Sequence, residues 1–467
     1  MNSDIAYMGL VQIGELIAKK KISSVEVTQV MLERVEQLNP KLKSYVAVLA
    51  SSALKDARRA DRELANGNRR GPLHGVPVAV KDLCDMKGVV TTAGIPMFNN
   101  AIADRDATVV TNLRDAGAVI LGKLHLTEGA LAQHHPEITP PINPWAGNRW
   151  SGASSSGTGV SVAAGLTYGA LGSDTGGSIR FPASCNGLVG LKPTWSRVSR
   201  YGVFPLSETL DHIGPLTRSV ADAAAMLAAI AGYDANDPTS APTEVPDYLS
   251  TLNRGVKGVR IGIDRQYAFN GVDAEIKKAI ERALRALKAA GAKVVSFKMP
   301  PIDAALAAWG PICSTDAALA HAATYPSKKR GYSDTFSSFL ASGRAVTGLE
   351  YGHAEITRRE FRGSMETVFE SIDLMIKPVY AKLNPTLKRY EAMCAKEGGL
   401  DDLIYFTAPD DITGAPTITL PAGLDKNGSP LSFQIVGRHF EEELLFRAGR
   451  AWEKAADWRA MRPPLAP

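Results

Sequence analysis

The chain has 467 residues, of which 45% are hydrophobic and 22% are charged, and its formal net charge is +5. That is ordinary globular composition with ample apolar material for a large core, and the length allows two or three domains or one large α/β domain. Basic and acidic residues are interspersed, as in the stretch 55–63, which argues against a basic groove for nucleic acid.

The first predicted elements are helices within residues 1–66. Ser23 and Glu26 have the spacing of an N-terminal capping box, and apolar residues follow at helical intervals. We expect this helix to end at Asn39-Pro40, because the residue before a proline disfavours helical conformation. A second, strongly charged helix is predicted over 52–66.

Targeting signals and cysteine pairs are missing from the sequence. The N-terminal residues carry neither the basic region nor the apolar stretch of a signal peptide, and no apolar run reaches the ~18 residues that span a bilayer. The four cysteines are far apart and form no CxxC pair, so neither a zinc finger nor a dense disulfide framework is expected. We therefore expect a cytoplasmic protein that does not contact a membrane.

From Gly71 onward, short apolar strands alternate with helices. Three valines between positions 76 and 80 alternate toward Lys81 and predict a strand after a turn at Gly75. The pattern continues with a helix at 106–117, strands at 118–121 and 260–263, a helix at 273–290 and a strand at 293–297. This rhythm predicts a sheet with helices on both faces.

The C-terminal part predicts a hairpin followed by a closing helix. Asn427-Gly428 separates two apolar runs, 417–420 and 431–436, so part of the sheet should be antiparallel. The closing helix is predicted over 441–455. The polar stretch 236–245 has the same α/β rhythm on both sides, which favours a surface loop within one domain over an interdomain linker.

Two clusters of serine and glycine lie within residues 143–215. The first runs from Ser151 to Gly157 and the second from Gly172 to Arg180. Small residues around repeated hydroxyls let backbone N–H groups approach a substrate, as an oxyanion hole requires, and let a serine act as nucleophile. Taken alone, each cluster is more typical of a flexible turn, and Arg180 is more simply explained as an anchor for its loop.

A serine nucleophile needs a base, and the sequence offers lysine and histidine candidates. Lys81 ends an apolar strand and could be neutral there, although an ion pair or a side chain reaching solvent is the simpler explanation. His134, His135 and His212 are further candidates, but the GxSxG elbow of Ser-His-Asp hydrolases is absent.

Three other chemistries are disfavoured. The segment 117–123 has GxxxxGK spacing, but Leu124 stands where a phosphate loop has Ser or Thr, and the intervening residues predict a strand. Cys185 could be a nitrilase-type nucleophile, but its segment is more typical of buried packing. Neither an i, i+4 histidine pair nor HExxH occurs, so no metal site is predicted.

The longest motif, Gly172-Ser-Asp-Thr-Gly-Gly-Ser-Ile-Arg180 with Gly187–Thr194 after it, resembles the amidase signature family. Lys81-Asp82, Ser154-Ser155 and the segments 210–215 and 413–438 are also similar to that family. The resemblance is close over 71–233 and 406–455 and looser between. It implies one large α/β/α domain over 1–467, with a mixed, mostly parallel sheet. Within that domain, 1–66 would be an N-terminal helical segment, 71–233 the catalytic core and 300–405 a variable substrate-pocket region.

The resemblance also implies a Ser-cisSer-Lys triad. Ser178 would be the nucleophile, Ser154 the bridging serine after a cis Ala153–Ser154 peptide, and Lys81 the base. The oxyanion hole would be built from backbone N–H groups of Thr175, Gly176, Gly177 and Ser178, and neither a metal nor another cofactor is called for. Ala153 and Ser156 stand where many members have glycine, and we expect the triad to survive this difference.

The expected activity is hydrolysis of a carboxylic amide to the acid and ammonia or an amine, through an acyl-enzyme on Ser178. The alternatives are the glutaminase subunit of a tRNA-dependent amidotransferase, an esterase, and a non-catalytic binding protein on the same scaffold. Residues 318–354 are more similar to stand-alone amidases than to the amidotransferase subunit. All three triad positions are filled, which argues against a non-catalytic protein. A small-molecule amide is the expected partner, with a homodimer compatible with the resemblance and no nucleic acid or membrane involved.

The natural amide is not specified by these motifs. The loop 122–128 departs from the family's usual pattern, and residues 300–345 and 375–405 are expected to shape the pocket. Aromatic and proline side chains there are candidate walls, although each is more simply explained as ordinary core. These candidates are Trp309, Pro311, Phe336, Phe339, Tyr380 and Tyr390.

Overall fold

A computed structural model describes residues 2–396 and 398–465. Across these residues, eleven strands form one continuous sheet. The strands are β1 Tyr45–Val48, β2 Pro77–Lys81, β3 Val119–Leu124, β4 Gly169–Asp174, β5 Val189–Lys192, β6 His212–Thr217, β7 Arg260–Ile263, β8 Lys293–Ser296, β9 Leu374–Lys377, β10 Thr417–Leu424 and β11 Pro430–Gly437.

The strand order in the sheet is β1-β3-β2-β4-β6-β5-β10-β11-β9-β7-β8. Six of the ten pairings among the described strands are antiparallel and four are parallel. The mixed α/β fold class is therefore confirmed, but the sheet is less parallel than expected. The parallel pairings are β3–β2 and β2–β4 on one side of the sheet and β9–β7 and β7–β8 on the other, whereas every pairing from β4 through β6, β5, β10 and β11 to β9 is antiparallel.

The N-terminal segment contains more than helices. Its elements are α1 Asn2–Ala6, α2 Leu10–Ala18, α3 Ser24–Leu42 and α4 Ala50–Ala65, with β1 between the last two. The capping box of Ser23 and Glu26 is confirmed at the start of α3. The predicted end at Asn39-Pro40 is wrong, because Pro40 sits in the last turn and α3 ends at Leu42, where Lys43 adopts a left-handed conformation (φ +54°).

The remaining helices surround the sheet. The elements after β2 are α5 Thr108–Asp115, α6 Ser156–Ala163, α7 Arg180–Asn186, α8 Val220–Ile230, α9 Tyr248–Thr251, α10 Arg265–Phe269 and α11 Ala274–Ala289. The later part of the chain adds α12 Asp303–Ala320, α13 Asp334–Ala345, α14 Gly348–Ser371, α15 Leu387–Cys394, α16 Gly399–Ile404, α17 Ala408–Thr413 and α18 Glu442–Ala456. No helix of the described chain is long and apolar enough to cross a bilayer.

Helices pack on both faces of the sheet, as predicted. On one face, the backbone of Gly190 in β5 lies against Ala183 of α7. On the other face, α18 packs through Gly449 onto Ile418 and Leu420 of β10. The core between these layers is one continuous cluster of buried apolar side chains that extends over both halves of the chain.

The β2–β4 pairing positions the site. These parallel strands lie side by side, with Val80 opposite Leu171. Their carboxyl ends therefore meet at one edge of the sheet, and the residues that follow β4 fold into the loop before α7. Lys81 at the end of β2 and the second serine-glycine cluster are brought together in this way.

Candidate active site

Lys81 is completely buried at the end of β2. Its Nζ donates to Ser154 Oγ at 2.7 Å and to Ser173 Oγ at 2.8 Å. Burial lowers the pKa of this amine to about 7, against the opposing influence of the Asp211 and Asp174 carboxylates. A large fraction of the lysine is therefore neutral near neutral pH and able to accept a proton.

The first serine-glycine cluster brings Ser154 against Lys81. The Ala153–Ser154 peptide is cis, and the Ser154 carbonyl accepts a hydrogen bond from the Thr127 amide at 3.2 Å. Gly152 has φ +82°, and a Cβ at this position would lie 2.5 Å from the Pro182 backbone. The close approach of this loop to α7 therefore requires glycine.

Ser178 lies in the loop between β4 and α7, half-buried beside a cavity. Its carbonyl accepts a hydrogen bond from the Ser155 amide at 3.3 Å, which ties the two clusters together through their backbones. No hydrogen bond links the Ser154 and Ser178 hydroxyls in the described chain. Such bonds are often long before substrate binds and shorten only in the complex.

The backbone amides of the Ser178 loop divide into two groups. The Gly177 amide donates to Asp174 Oδ1 at 2.6 Å, so it is engaged inside the loop and not free for a substrate oxyanion. The amides of Thr175, Gly176 and Ser178 have no hydrogen-bond acceptor among the described residues. Of the four predicted donors, these three have no acceptor within the described protein, whereas Gly177 has one.

Arg180 anchors this loop to the rest of the molecule. Its buried guanidinium contacts Asp174 at 2.8 Å, Asp410 at 2.9 Å and Asp411 at 2.6 Å. Burial alone would raise the pKa of Asp174, but the adjacent guanidinium outweighs it and holds that pKa well below its usual range. The anchoring role that the sequence favoured for Arg180 matches this arrangement.

The cavity beside Ser178 is open to solvent and contains about 360 Å³ of empty space, including the part that is continuous with solvent. No described residue that lines it is charged. Trp309 and Tyr390 belong to the lining, whereas Tyr380 borders a separate cavity and Phe336 packs among His321 and Tyr332. The lining residues are Ala130, Leu131, Ala132, Ala153, Thr175, Gly176, Ser178, Phe181, Leu206, Trp309, Tyr390, Leu400, Leu403 and Ile404.

The three histidines that the sequence offered as bases contact other groups. His134 hydrogen-bonds Ser156 at 3.0 Å, and burial lowers its pKa to about 3. His212 lies beside Lys192 and Asp411 in the buried charge network, where burial lowers its pKa well below the usual value. His135 Nδ1 accepts a hydrogen bond from the Glu137 amide within its own loop.

The disfavoured alternatives also have structural explanations. Lys123 of the GxxxxGK segment lies within β3 and forms a buried ion pair with Asp82 at 2.7 Å, so this segment is no phosphate loop. Cys185 is buried in α7, its Sγ lies 3.4 Å from Asn384 Oδ1, and burial raises the pKa of its thiol.

Sequence reasoning missed two residues of the site. Ser173 is the second hydroxyl that contacts Lys81, and Asp211 accepts a 2.5 Å hydrogen bond from Thr175 Oγ1. Burial raises the pKa of Asp211 to about 6. Both residues stand inside the motifs quoted above, but only the adjacency of β2 and β4 would have revealed Ser173.

Known proteins resemble this chain over nearly its whole length. A family model described as "Amidase" matches residues 26–446. The Mycobacterium tuberculosis protein named "Putative amidase AmiD" is 41% identical over 461 residues, covering 99% of this chain and 97% of that protein. A glutamyl-tRNA(Gln) amidotransferase subunit from Carboxydothermus hydrogenoformans is 37% identical over 490 residues, covering 99% of this chain and 100% of that protein.

One solved structure shows that the likeness extends to the fold. The native peptide amidase from Stenotrophomonas maltophilia superposes with a TM-score of 0.84 and 30% sequence identity. The match covers 98% of this chain and 98% of that one. The whole mixed sheet with its surrounding helices is therefore shared, beyond the serine-glycine motifs.

Proposed function

Because the chain belongs to the amidase signature family and is an amide-bond hydrolase, we propose that it cleaves a carboxylic amide through an acyl-enzyme on Ser178. Lys81 serves as the base and Ser154 carries the proton between them. The observation that carries this proposal is the 2.7 Å contact of Ser154 with a completely buried lysine whose pKa is about 7.

Acylation follows from this arrangement. Neutral Lys81 takes the proton of Ser154, which in turn takes the proton of Ser178, and the Ser178 Oγ attacks the carbonyl carbon. The amides of Thr175, Gly176 and Ser178 are the donors available to the resulting oxyanion. As the C–N bond breaks, the proton returns along the same path to the leaving nitrogen and releases ammonia or an amine.

Deacylation repeats the sequence with water. The neutral lysine, again through Ser154, takes a proton from a water that attacks the acyl-enzyme carbonyl. The second tetrahedral intermediate collapses to the carboxylic acid, and Ser178 regains its proton. The same proton relay also supports hydrolysis of esters, which are easier acyl donors than amides.

The Ser178→Ala variant tests the assignment. We expect amide hydrolysis to disappear in Ser178→Ala and in Lys81→Ala, while Ser184→Ala, which removes a half-buried α7 hydroxyl that contacts Ser432, keeps wild-type turnover. A fluorophosphonate probe should label the wild-type enzyme on Ser178 and leave Ser178→Ala unlabelled. Wild-type turnover by purified Ser178→Ala would overturn the assignment.

A second candidate is glutamine hydrolysis for an amidotransferase, favoured by the 37% identity to a glutamyl-tRNA(Gln) amidotransferase subunit. The cavity argues for the first candidate, because glutamine carries an α-ammonium and an α-carboxylate and no described lining residue offers a charged partner. Ammonia release from glutamine should therefore be much slower than from uncharged aryl or aliphatic primary amides. Glutamine as the best substrate of that panel would reverse the choice.

A further inference from the structure

Trp309 connects the cavity wall with the backbone that faces the substrate. It is buried in α12, and its indole Nε1–H donates to the Thr175 carbonyl at 2.8 Å. Its ring lies against Gly176, where an added Cβ would stand 3.0 Å from Cζ2. One side chain from the variable part of the chain therefore contacts two consecutive residues of the Ser178 loop.

The contact matters because of the geometry of a peptide unit. The Thr175 carbonyl and the Gly176 amide belong to the same planar unit, and in a trans peptide they point in opposite directions. A donor that fixes the direction of the carbonyl therefore also fixes the direction of the N–H. Acceptance of a hydrogen bond by the carbonyl also polarises the N–H and strengthens it as a donor.

The neighbouring peptide unit is held in a different way. The Gly176 carbonyl accepts from Thr407 Oγ1 at 2.6 Å, and the Gly177 amide on the same unit donates to Asp174 at 2.6 Å. Both ends of that unit are occupied within the protein. In the unit before it, only the carbonyl is occupied, and the Gly176 amide has no acceptor among the described residues.

We propose that Trp309 is a positioning residue that aims the Gly176 amide at the oxyanion formed on Ser178. This inference rests on the proposed function, because it assumes acyl transfer at Ser178. The Thr175 side chain is held independently by Asp211 at 2.5 Å, so loss of the indole contact would free the peptide unit without releasing the whole loop. Trp309 also lines the cavity, so its ring contributes to substrate fit while its N–H acts through the backbone.

The Trp309→Phe variant separates these two contributions. Phenylalanine keeps an aromatic ring in the wall but has no N–H to donate. Loss of a whole oxyanion donor costs about 100- to 1,000-fold in kcat, so misdirection of one donor should lower kcat by roughly ten- to 100-fold. KM should change much less, because the substrate carbonyl gains negative charge only in the transition state.

A fluorophosphonate provides a second readout that does not depend on the substrate. Ser178 attacks its phosphorus, fluoride leaves, and negative charge develops on the phosphoryl oxygen within the same set of amides. The second-order rate constant for labelling should therefore fall in Trp309→Phe along with kcat. If Trp309→Phe does not fold, Trp309→Leu, which also lacks the N–H donor, replaces it in both measurements.

The chain offers a matched control in Trp452. Its buried indole N–H donates to the Pro421 carbonyl at 2.8 Å, away from the cavity. Trp452→Phe removes an equivalent hydrogen bond and should lower thermal stability without changing kcat or the labelling rate. Wild-type rates in a folded Trp309 variant, or an equal loss in Trp452→Phe, would overturn the inference. A wild-type enzyme that the probe does not label at Ser178 would instead remove the proposed function and the inference with it.

Discussion

In the part of the chain that the structure describes, four lysines are completely buried, and their surroundings distinguish Lys81 from the others. Lys123 and Lys377 each have a carboxylate within 3 Å, in Asp82 and Asp410 respectively. Lys192 lies against the Ala415 carbonyl and His212. Lys81 has only hydroxyl acceptors among the described residues. Neither Lys81 nor Lys192 has a carboxylate at ion-pair distance among the described residues, and Lys81 contacts only neutral hydroxyls, which favours the neutral amine that a base requires.

The pH dependence of kcat follows from this environment. Below its pKa of about 7, Lys81 is protonated and cannot accept a proton, whereas above it the amine is neutral. We expect kcat to rise with pH, with an apparent pKa near that value, and then to level off. The measurement is kcat at saturating amide over roughly pH 5 to 9. A profile that is flat or falls across this range would contradict the role of Lys81 as base.

At the scale of residues, the motifs predict which side chains belong to the site, but they do not predict which hydrogen bonds these residues form. The sequence singled out Lys81, Ser154 and Ser178, and the structure places the first two in direct contact. The place of Gly177 in the oxyanion hole stays a prediction, and the motif did not show that its amide already has an acceptor in Asp174. That depends on how Asp174 turns back toward its own loop, a consequence of the tertiary fold.

At the scale of elements, the loop before α7 depends on a helix far away in the sequence. Arg180 at the start of α7 reaches Asp410 and Asp411 in α17 and contacts Asp174 at the end of β4. All these side chains are nearly inaccessible to solvent. A buried charge is tolerated only while its partners are present, so this network makes the site loop part of the cooperative core.

The Arg180→Met variant tests this coupling. It leaves carboxylates in the core with fewer cationic partners, and removal of one partner from a buried ion pair typically costs about 3–5 kcal/mol. Arg362→Ala is the control, because its contact with Glu366 is solvent-exposed and such pairs contribute at most about 1 kcal/mol. Urea unfolding of both variants measures the difference. Similar losses in the two would show that the buried network does not anchor the loop.

Elements with strong local signals were predicted well, and those that depend on distant partners were not. The unit β7–α11–β8 and the β10–β11 hairpin agree with the sequence to within a few residues. In contrast, β1 was missed because this short strand has exposed positions and pairs with β3, which lies some 70 residues later. Apart from the β10–β11 hairpin, the antiparallel pairings at the centre of the sheet were not predicted, since strand direction follows from chain connectivity.

At the scale of the whole molecule, the catalytic candidates and one part of the cavity wall come from different segments of the chain. The catalytic candidates lie within 71–233, where the resemblance to the family is close. The opposite wall of the cavity is supplied by 300–405, where it is looser, through Trp309, Tyr390 and the α16 residues. Apart from Trp309, whose indole contacts the Ser178 loop, this part of the wall can therefore vary without disturbing the contact between Lys81 and Ser154.

Leu403→Ala is the direct test of this division. Leu403 lies in α16 on the cavity wall, so its truncation enlarges the space beside Ser178. We expect kcat/KM to rise for amides with bulkier acyl groups relative to smaller ones, by roughly ten-fold if one or two methylenes of substrate fill the space. The fluorophosphonate labelling rate should stay near the wild-type value, because the relay is untouched.

Leu340→Ala provides the control for this substitution, since Leu340 is buried in α13 of the same segment but does not line the cavity. It should destabilise the protein by about 2–5 kcal/mol, the usual range for a core leucine, and leave the order of substrates unchanged. A panel of amides with acyl chains of increasing length, measured for wild type and both variants, decides the question. If the two variants shift the substrate order equally, the cavity beside Ser178 is not what selects the substrate.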